Sequence, residues 1–404
     1  MTAALTSPTA ASRALDRPDV HLPLPAVDGL VDAVDAAGLR GRGGAGFPTA
    51  AKMRAVLDAA SRPDRRRRGQ PVVVANGCEG EPASHKDATL LALAPHLVVD
   101  GAVLAALALD GSRVVLCVGT AAPAAAGLRA ALAGRADPVA VEVVEVPERF
   151  VASQETALVR FLGGGPALPT TSPPRPAERG VAGRPTFVAN VETLARLALL
   201  ARHGPHAQSL LLTVGGAVTR PGVVEVAAGT PLSRVLDLAG GPSTQVGTLL
   251  TGGYGGTWLT ARDHLGLPVD RDSFRAAGAT LGAGVLLALP ADACGPTQTL
   301  HLLRFLVRES ARQCGPCRFG LPAMAGDLTE IVDGRPDASA AYARLTERLG
   351  VVDGRGACSH PDGAVRLVAS ALHVFAEDVA MHLRGLPCRA AGAPSLFPAG
   401  RSAW

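Results

Sequence analysis

Apolar residues along the chain change period repeatedly, and each change predicts an element. Helical spacing marks "VDGLVDAVDAAGL" (27–39), and the short apolar run "PVVVAN" (71–76) has the length of a buried strand. Helical period returns in "DATLLALAPHLVVDGAVLAALAL" (87–109), and "RVVLCVG" (113–119) and "VAVEVVEVP" (139–147) read as strands around the Ala-rich helix "AAPAAAGLRAALAG". Strands alternating with helices predict an α/β layer over 26–205 with a largely parallel sheet. A Pro-rich connector, "LPTTSPPRPAERGVAGRP", lies near the end of that stretch. Short strands, a Pro221-Gly222 turn and one helix then predict a small α+β module over 206–290. From 297 to 386 the period is helical: "TQTLHLLRFLVRESARQ", "LPAMAGDLTEIVDG", "AAYARLTERLG" and "AVRLVASALHVFAEDVAMHL". Residues 1–25, rich in Ala, Ser, Thr and Pro, are expected to be poorly ordered, and 387–404 to form a tail.

Composition narrows the class. Of 404 residues, 48% are hydrophobic and 18% charged, which suits a chain with several packed cores. A net charge of +4 gives no reason to expect nucleic acid. The run Arg65 to Arg68, bracketed by Pro and Gly, reads as a solvated loop. No stretch has the length and apolarity of a membrane span, and the N-terminus lacks a signal-peptide core, so a cytoplasmic protein is expected. Seven cysteines at irregular spacing in such a chain point to chemistry rather than to a disulfide framework.

Two dense stretches carry the candidate chemistry. "GLRGRGGAGFPTAAKM" holds Gly41-x-Gly43-x-x-Gly46, which formally matches a dinucleotide fingerprint. That fingerprint requires a preceding strand, and the preceding residues here are helical in period. A plain turn needs fewer glycines. Gly41, Gly43, Gly44 and Gly46 let backbone come close to a flat or anionic ligand, and Arg42 and Lys52 are candidates to neutralise a phosphate. The second stretch, "NGCEGEPASHKD", follows the 71–76 strand. It places Asn76, Glu79, Glu81 and Lys86 where α/β sheets usually hold ligands.

Together these stretches resemble the flavin-binding, NADH-oxidising subunit of bacterial respiratory complex I and the related diaphorase subunits. The matching segments run in the family's order: "GLRGRGGAGFPTAAK", "NGCEGEPASHKD", "QETALVRFLGGGPALPTTSPPRP" with "GVAGRPTFVANVETL", "GAVTRPGVVEVAAGTPLSRVLDLAGG", and "ESARQCGPCRFG" with the later "GRGACSHPDGA". The resemblance implies an N-terminal FMN-binding α/β sandwich, a small ubiquitin-like β-grasp module and a C-terminal helical iron–sulfur domain. It implies electron flow from NADH to FMN, to a [4Fe–4S] cluster, and on to a ferredoxin-like [2Fe–2S] or other electron-transfer subunit, in a complex that can sit on the cytoplasmic face of a membrane. A flavin suits that route because it exchanges electrons both in pairs and singly. The implied cofactor residues are Gly41, Arg42, Gly43, Gly44, Phe47, Lys52, Asn76, Glu79, Glu81, Glu155, Asn190 and Thr193.

Cys314-Gly-Pro-Cys317 has the spelling of a thioredoxin motif, but a helical pattern rather than a strand precedes it. Zinc would want two further ligands at suitable spacing, and no second Cys-x-x-Cys exists. The family binds its cluster through Cys-x-x-Cys-x-x-Cys and a fourth cysteine about forty residues later. Cys314, Cys317 and Cys358 match three of these positions, and Ala311 stands at the remaining one. A four-iron cluster with a substitute ligand, a three-iron cluster, another metal and no cluster all stay open. Cys294 and His360 are the candidate substitutes. Cys117 reads as core, Cys388 as tail, and Cys78 as either filler or a flavin neighbour.

Other departures bear on the ligands. The family pairs two glutamates where this chain has Gln154-Glu155, has tyrosine at Phe150, an acidic residue at Cys78, and two asparagines at Ala189-Asn190. Its aromatic clasp on the adenine retains Phe47 but meets Ala55 and His85 at two other positions. Two further readings stand beside NADH oxidation. One is a flavin electron-transfer subunit that does not use NADH, like the ferredoxin-facing subunit of Rnf-type pumps. The other is a degenerate scaffold paralogue.

Overall fold

The computed structural model describes residues 14–15, 20–62, 69–120, 123–205, 209–386, 388 and 390–398. The Arg65–Arg68 run lies outside the described residues. The chain forms two compact units, the first of 1–80, 85–211 and 225–228, the second of 81–84, 212–224 and 229–404.

The first unit is built on four strands: β1 (Val72–Gly77), β2 (Arg113–Gly119), β3 (Ala140–Val146) and β4 (Thr186–Asn190). They pair in the order β3-β2-β1-β4, and every pairing is parallel. β1 and β2 are buried along nearly their whole length, which explains their unbroken Val/Ala/Leu pattern. The order reverses between β1 and β4. This is the topological switch point, where the connections leave on opposite sides and open a crevice at the carboxyl ends of the strands. Asn76 and Asn190, partners in register, stand side by side at those ends.

The apolar stretch 87–109 is two helices, Lys86–Leu93 and Pro95–Ala108, bent by 97°. Ala94 precedes proline and is excluded from helical geometry, while Pro95 starts a new helix where its missing N–H is no loss. The second of these helices packs on Val191–His203 at close range. A Cβ at Gly101 would lie 1.9 Å from the Leu194 carbonyl oxygen, so only glycine fits there. Among the described residues no single helix is long and apolar enough to cross a membrane. At the unit's edge, Glu225 accepts hydrogen bonds from the Ala14 and Leu15 amides, the Ser209 hydroxyl and Arg196.

A second sheet contains β5 (Ser209–Gly216), β6 (Gly222–Ala227), β7 (Val246–Thr251), β8 (Thr257–Thr260) and β9 (Val285–Pro290), in the order β6-β5-β9-β7-β8. β5 and β9 run parallel, and β7 runs antiparallel to both β8 and β9. This mixed sheet with the helix Leu232–Leu238 is the small β-grasp-like module.

From Gly295 onward the second unit is helical: Gly295–Glu309, Leu321–Val332, Ala338–Val352, His360–Val374 and Ala376–Leu383. The last predicted helix, 364–383, is thus two, interrupted at Phe375. Asp327 ties the middle pair together by accepting from Arg344 and Arg348 at 2.8 and 2.6 Å. The segment read as a tail lies along Gly295–Glu309. Leu396 N–H donates to Gln298, Gln298 donates to the Pro394 carbonyl, and His301 bonds the Ala393 carbonyl.

Candidate functional site

The glycine loop leads not out of a strand but into the helix Thr49–Ala60, which is why the dinucleotide fingerprint does not apply. The loop is nonetheless fixed to the switch point. The Arg42 amide donates to the Thr193 hydroxyl at 2.9 Å, and a Cβ on Gly43 would come within 3.3 Å of Asn190 Cβ. Gly44 has φ +105°, a conformation side chains rarely adopt, and Gly43, Gly44 and Ala45 remain exposed. Lys52, on the helix after the loop, pairs with Glu155 at 2.5 Å. The Arg42 guanidinium takes a different course from that expected of a phosphate ligand. It donates to the Ser209 carbonyl, and burial, only partly offset by Glu192, lowers its pKa. Thr193 is buried, so its hydroxyl anchors the loop.

Below the loop lies a buried polar network. The Asn190 side chain accepts from the Glu192 amide at 3.0 Å and from Lys86 at 3.2 Å, and it donates to Asp87 at 2.7 Å and the Asn76 carbonyl at 3.4 Å. That exhausts the usual capacity of an amide. Asn76 bridges the Ser153 carbonyl and the Cys78 amide. Glu79 accepts from the Asp87 and Ala88 amides, capping the helix Lys86–Leu93 with a carboxylate where the helix dipole favours one. Glu81 belongs to the second unit, where it accepts the Tyr254 amide at 2.9 Å.

Lys86 is the cation of the network, bonded to Asp87 at 2.6 Å and to Glu192 at 3.1 Å. Burial opposes its charge, but Asp87 and Glu192 outweigh burial and raise its pKa. Burial likewise opposes the charge on Glu192; Lys86, Arg42 and Arg196 overcome it and hold this carboxyl below its usual range. Burial pushes Asp87 up, against the pull of Lys86 and with Glu79 adding to the rise. Asp87 and Glu192 were not singled out from sequence. Their signal was local: each adjoins a named residue, Lys86 and Thr193.

The departure at Gln154 has a structural reading. Its side-chain oxygen accepts from the Thr156 and Ala157 amides and caps the helix Glu155–Leu162, a task for which an amide oxygen serves as well as a carboxylate. Phe47 is 46% exposed beside the loop, Ala55 lies on the following helix, and His85 directly precedes the helix of Lys86. Cys117 is core, with burial pushing its thiol up to about 12. Cys78 is half-buried and packs on the β1/β2 core.

In the second unit the Cys314–Cys317 pair sits in a loop-to-helix turn. Pro316–Gly320 forms one turn of π-helix that runs into Leu321–Val332. Cys314 thus precedes a helix as a thioredoxin cysteine does, with the helix Gly295–Glu309 rather than a strand before it. Burial works against ionising Cys314, but backbone amides of Ala357, Cys317 and Cys314 itself prevail and lower its pKa. Cys317 is pushed up to about 12 by burial and by Cys314, although the Arg312 amide bonds to it. Cys358 is raised by burial, while the His360 amide donates to its sulfur. Each thiol therefore receives a backbone N–H, the bonding that tunes iron–sulfur sites. Ala311 supplies no ligand. His360 donates Nε2–H to the Leu306 carbonyl at 2.8 Å, and burial lowers its pKa. Cys294 lies elsewhere: its sulfur contacts His382 Nε2 at 3.4 Å.

A parallel sheet with a glycine loop fixed at its switch point, in a chain whose second unit carries three soft thiols, defines a flavin-and-cluster class of electron-transfer protein. Family models agree segment by segment: the Nuo51 FMN-binding domain over residues 34–199, the SLBB domain over 211–253, and the NADH-ubiquinone oxidoreductase-F iron-sulfur binding region over 297–382. The NADH-quinone oxidoreductase F subunit of Salmonella typhimurium is 33% identical over 380 residues, covering 87% of this chain and 83% of that one. Its counterpart in Streptomyces coelicolor is 29% identical over 405 residues, covering 94% and 87%. A crystal structure of NAD+-reducing [NiFe]-hydrogenase in the H2-reduced state superposes with TM-score 0.79 at 28% identity, over 97% of this chain and 67% of that one. The chain belongs to the family of NADH-quinone oxidoreductase F subunits.

Proposed function

We propose that the chain is the FMN-dependent, NADH-oxidising subunit of an electron-transfer complex, working on the cytoplasmic side and delivering electrons through an iron–sulfur centre to a partner subunit. The observation that carries this reading is the glycine loop pinned by Thr193 at the β1/β4 switch point, in a chain that also holds Cys314, Cys317 and Cys358. FMN, when bound, supplies exchange between the electron pair of NADH and single electrons.

The residues divide into those that touch the flavin and those that position them. The exposed backbone of Gly43 and Gly44 and the ammonium of Lys52 would hold the flavin phosphate, with Gly41 shaping the loop through its amide bond to the Phe47 carbonyl. Asn76, Glu79, Asn190 and Thr193 keep the crevice in shape, since their side-chain bonds run to neighbouring protein groups. Glu155 orients Lys52. Arg42 works through its amide and, by its charge, on Glu192. Phe47 offers the adenine one aromatic face. With Ala55 and His85 at the other two positions, NADH binds about tenfold or more weakly than in members with three aromatics.

Cys314, Cys317 and Cys358 ligate the centre, with the fourth position left to solvent or an exogenous thiol. A ferredoxin-like [2Fe–2S] subunit, in a complex that can be membrane-associated, is the proposed acceptor. The relatives are themselves subunits of NADH-quinone oxidoreductases, which supports a multi-subunit setting.

The test is FMN and iron content of protein purified without oxygen, with EPR spectra before and after NADH. One flavin with three or four irons and a signal that grows on NADH addition supports the reading. Flavin without iron removes the cluster from it, and absence of both sinks it.

A further inference from the structure

A second group of metal-type ligands lies in the helical unit, apart from the three cluster cysteines. Cys294 precedes the helix Gly295–Glu309, His382 sits near the end of Ala376–Leu383, and Cys388 follows that helix. Their ligand atoms all lie within 4.8 Å of one another, the one such trio among the described residues. Cys294 is 1% exposed and His382 0%, while Cys388 is half-buried.

The protonation of the histidine follows from its partners. His382 Nδ1 lies 2.8 Å from the Val332 carbonyl oxygen, which can only accept, so Nδ1 carries the proton. The Nε2 lone pair therefore faces the Cys294 sulfur, 3.4 Å away. A backbone carbonyl on the far nitrogen is the bond that orients metal-ligating histidines. The Thr297 hydroxyl donates to Cys294 at 3.1 Å, which favours a thiolate. Zinc bonds of about 2.3 Å to sulfur and 2.0 Å to nitrogen set tetrahedral ligand atoms about 3.5 Å apart. The observed contact of 3.4 Å matches that spacing.

We propose that Cys294, His382 and Cys388 form a structural zinc site that straps the C-terminal segment to the helical unit. Two thiolates and one imidazole are the donor set zinc prefers over calcium or magnesium, and both thiols release their protons on binding. With three protein ligands, this assignment takes a water as the fourth ligand. Beyond Cys388 the chain lies along Gly295–Glu309 through Gln298 and His301, so the ion fixes the start of an ordered strap. This assignment gives Cys294 a role of its own, beside His382 and Cys388.

The test uses the full chain, purified without oxygen, given one equivalent of Zn(II) and desalted against a weak chelator. Zinc, iron and flavin are then measured together. About one zinc per chain is expected, with Cys388→Ser losing most of it while keeping its FMN and iron. Zinc K-edge absorption on the unmodified protein, which needs no variant to fold, should show two sulfurs and one nitrogen. Equal zinc in the variant and the parent overturns the site. So does a parent that holds no zinc, whether its thiols stay free or peptide mapping finds a Cys294–Cys388 disulfide.

Discussion

Lys86 and Glu192 form a buried ion pair, Nζ to Oε2 3.1 Å, with side chains 3% and 2% exposed. It joins the helix that starts after the Glu79 loop to the helix Val191–His203, which Asn190 caps. Those two elements meet at the switch point, so the pair holds the floor of the proposed flavin crevice. Neither charge has water to fall back on. Each is kept ionised by the other and by Asp87, Arg42 and Arg196.

Lys86→Met therefore leaves Glu192 and Asp87 buried without their shared cation. Removing one partner of a buried pair costs about 3–5 kcal/mol. The expected result is a fall of that size in urea-unfolding free energy, with FMN lost during gel filtration. A variant that unfolds like the parent would show that the network is not structural.

The pH dependence has a definite sign. Glu192 has a folded pKa below its ordinary value of 4.5. Its stabilising contribution is thus fully present above pH 4.5 and is lost as the pH falls through the depressed folded value. Glu192→Gln should lower Tm by a constant amount from about pH 7 to 8, above the titration of Asp87 at about 6, and the gap should close in acid. A gap that widens on acidification would contradict the assignment.

Gln154 supplies a cleaner test, because its role is a helix cap. Gln154→Ala should cost about 1 kcal/mol by loss of the acceptor for the Thr156 and Ala157 amides. Gln154→Glu keeps an acceptor there and should be neutral in stability and in FMN retention. If the glutamate variant instead binds flavin more tightly, position 154 touches the cofactor.

How far the sequence could be read follows from what kind of signal each feature leaves. β1 and β2 are buried on both faces, so their apolar runs were plain, and Asn76 could be placed at a strand end. The break at Ala94–Pro95 was marked by proline, yet the flanking apolar residues disguised it as one helix. A charge in a glycine loop reads as exposed, which is why the sequence offers Arg42 as a candidate to neutralise a phosphate. Only the fold shows its guanidinium donating to Ser209, 167 positions away. The Lys86–Glu192 pair is likewise distant in sequence: adjacency to Thr193 hints at Glu192, but nothing local announces the pairing itself. Cys388 looked like tail chemistry for the same reason: its partners Cys294 and His382 come from other elements.

Ala311 is the departure with the most direct consequence for electron transfer. The loop 311–313 lies between the helix ending at Glu309 and Cys314, and the Arg312 amide already bonds the Cys317 sulfur. Arg312 adopts φ +53°, so the loop turns sharply immediately after Ala311. A centre held by three protein thiolates leaves one iron to an exchangeable ligand and is open to loss of that iron in air. Ala311→Cys supplies the fourth thiolate at the family's own position. The variant should keep about four irons per chain after aerobic handling, where the parent falls to three or fewer. Its EPR signal after reduction by NADH should be less sensitive to added small thiols. Equal iron loss in variant and parent would mean that residue 311 does not reach the centre and that its ligand comes from elsewhere.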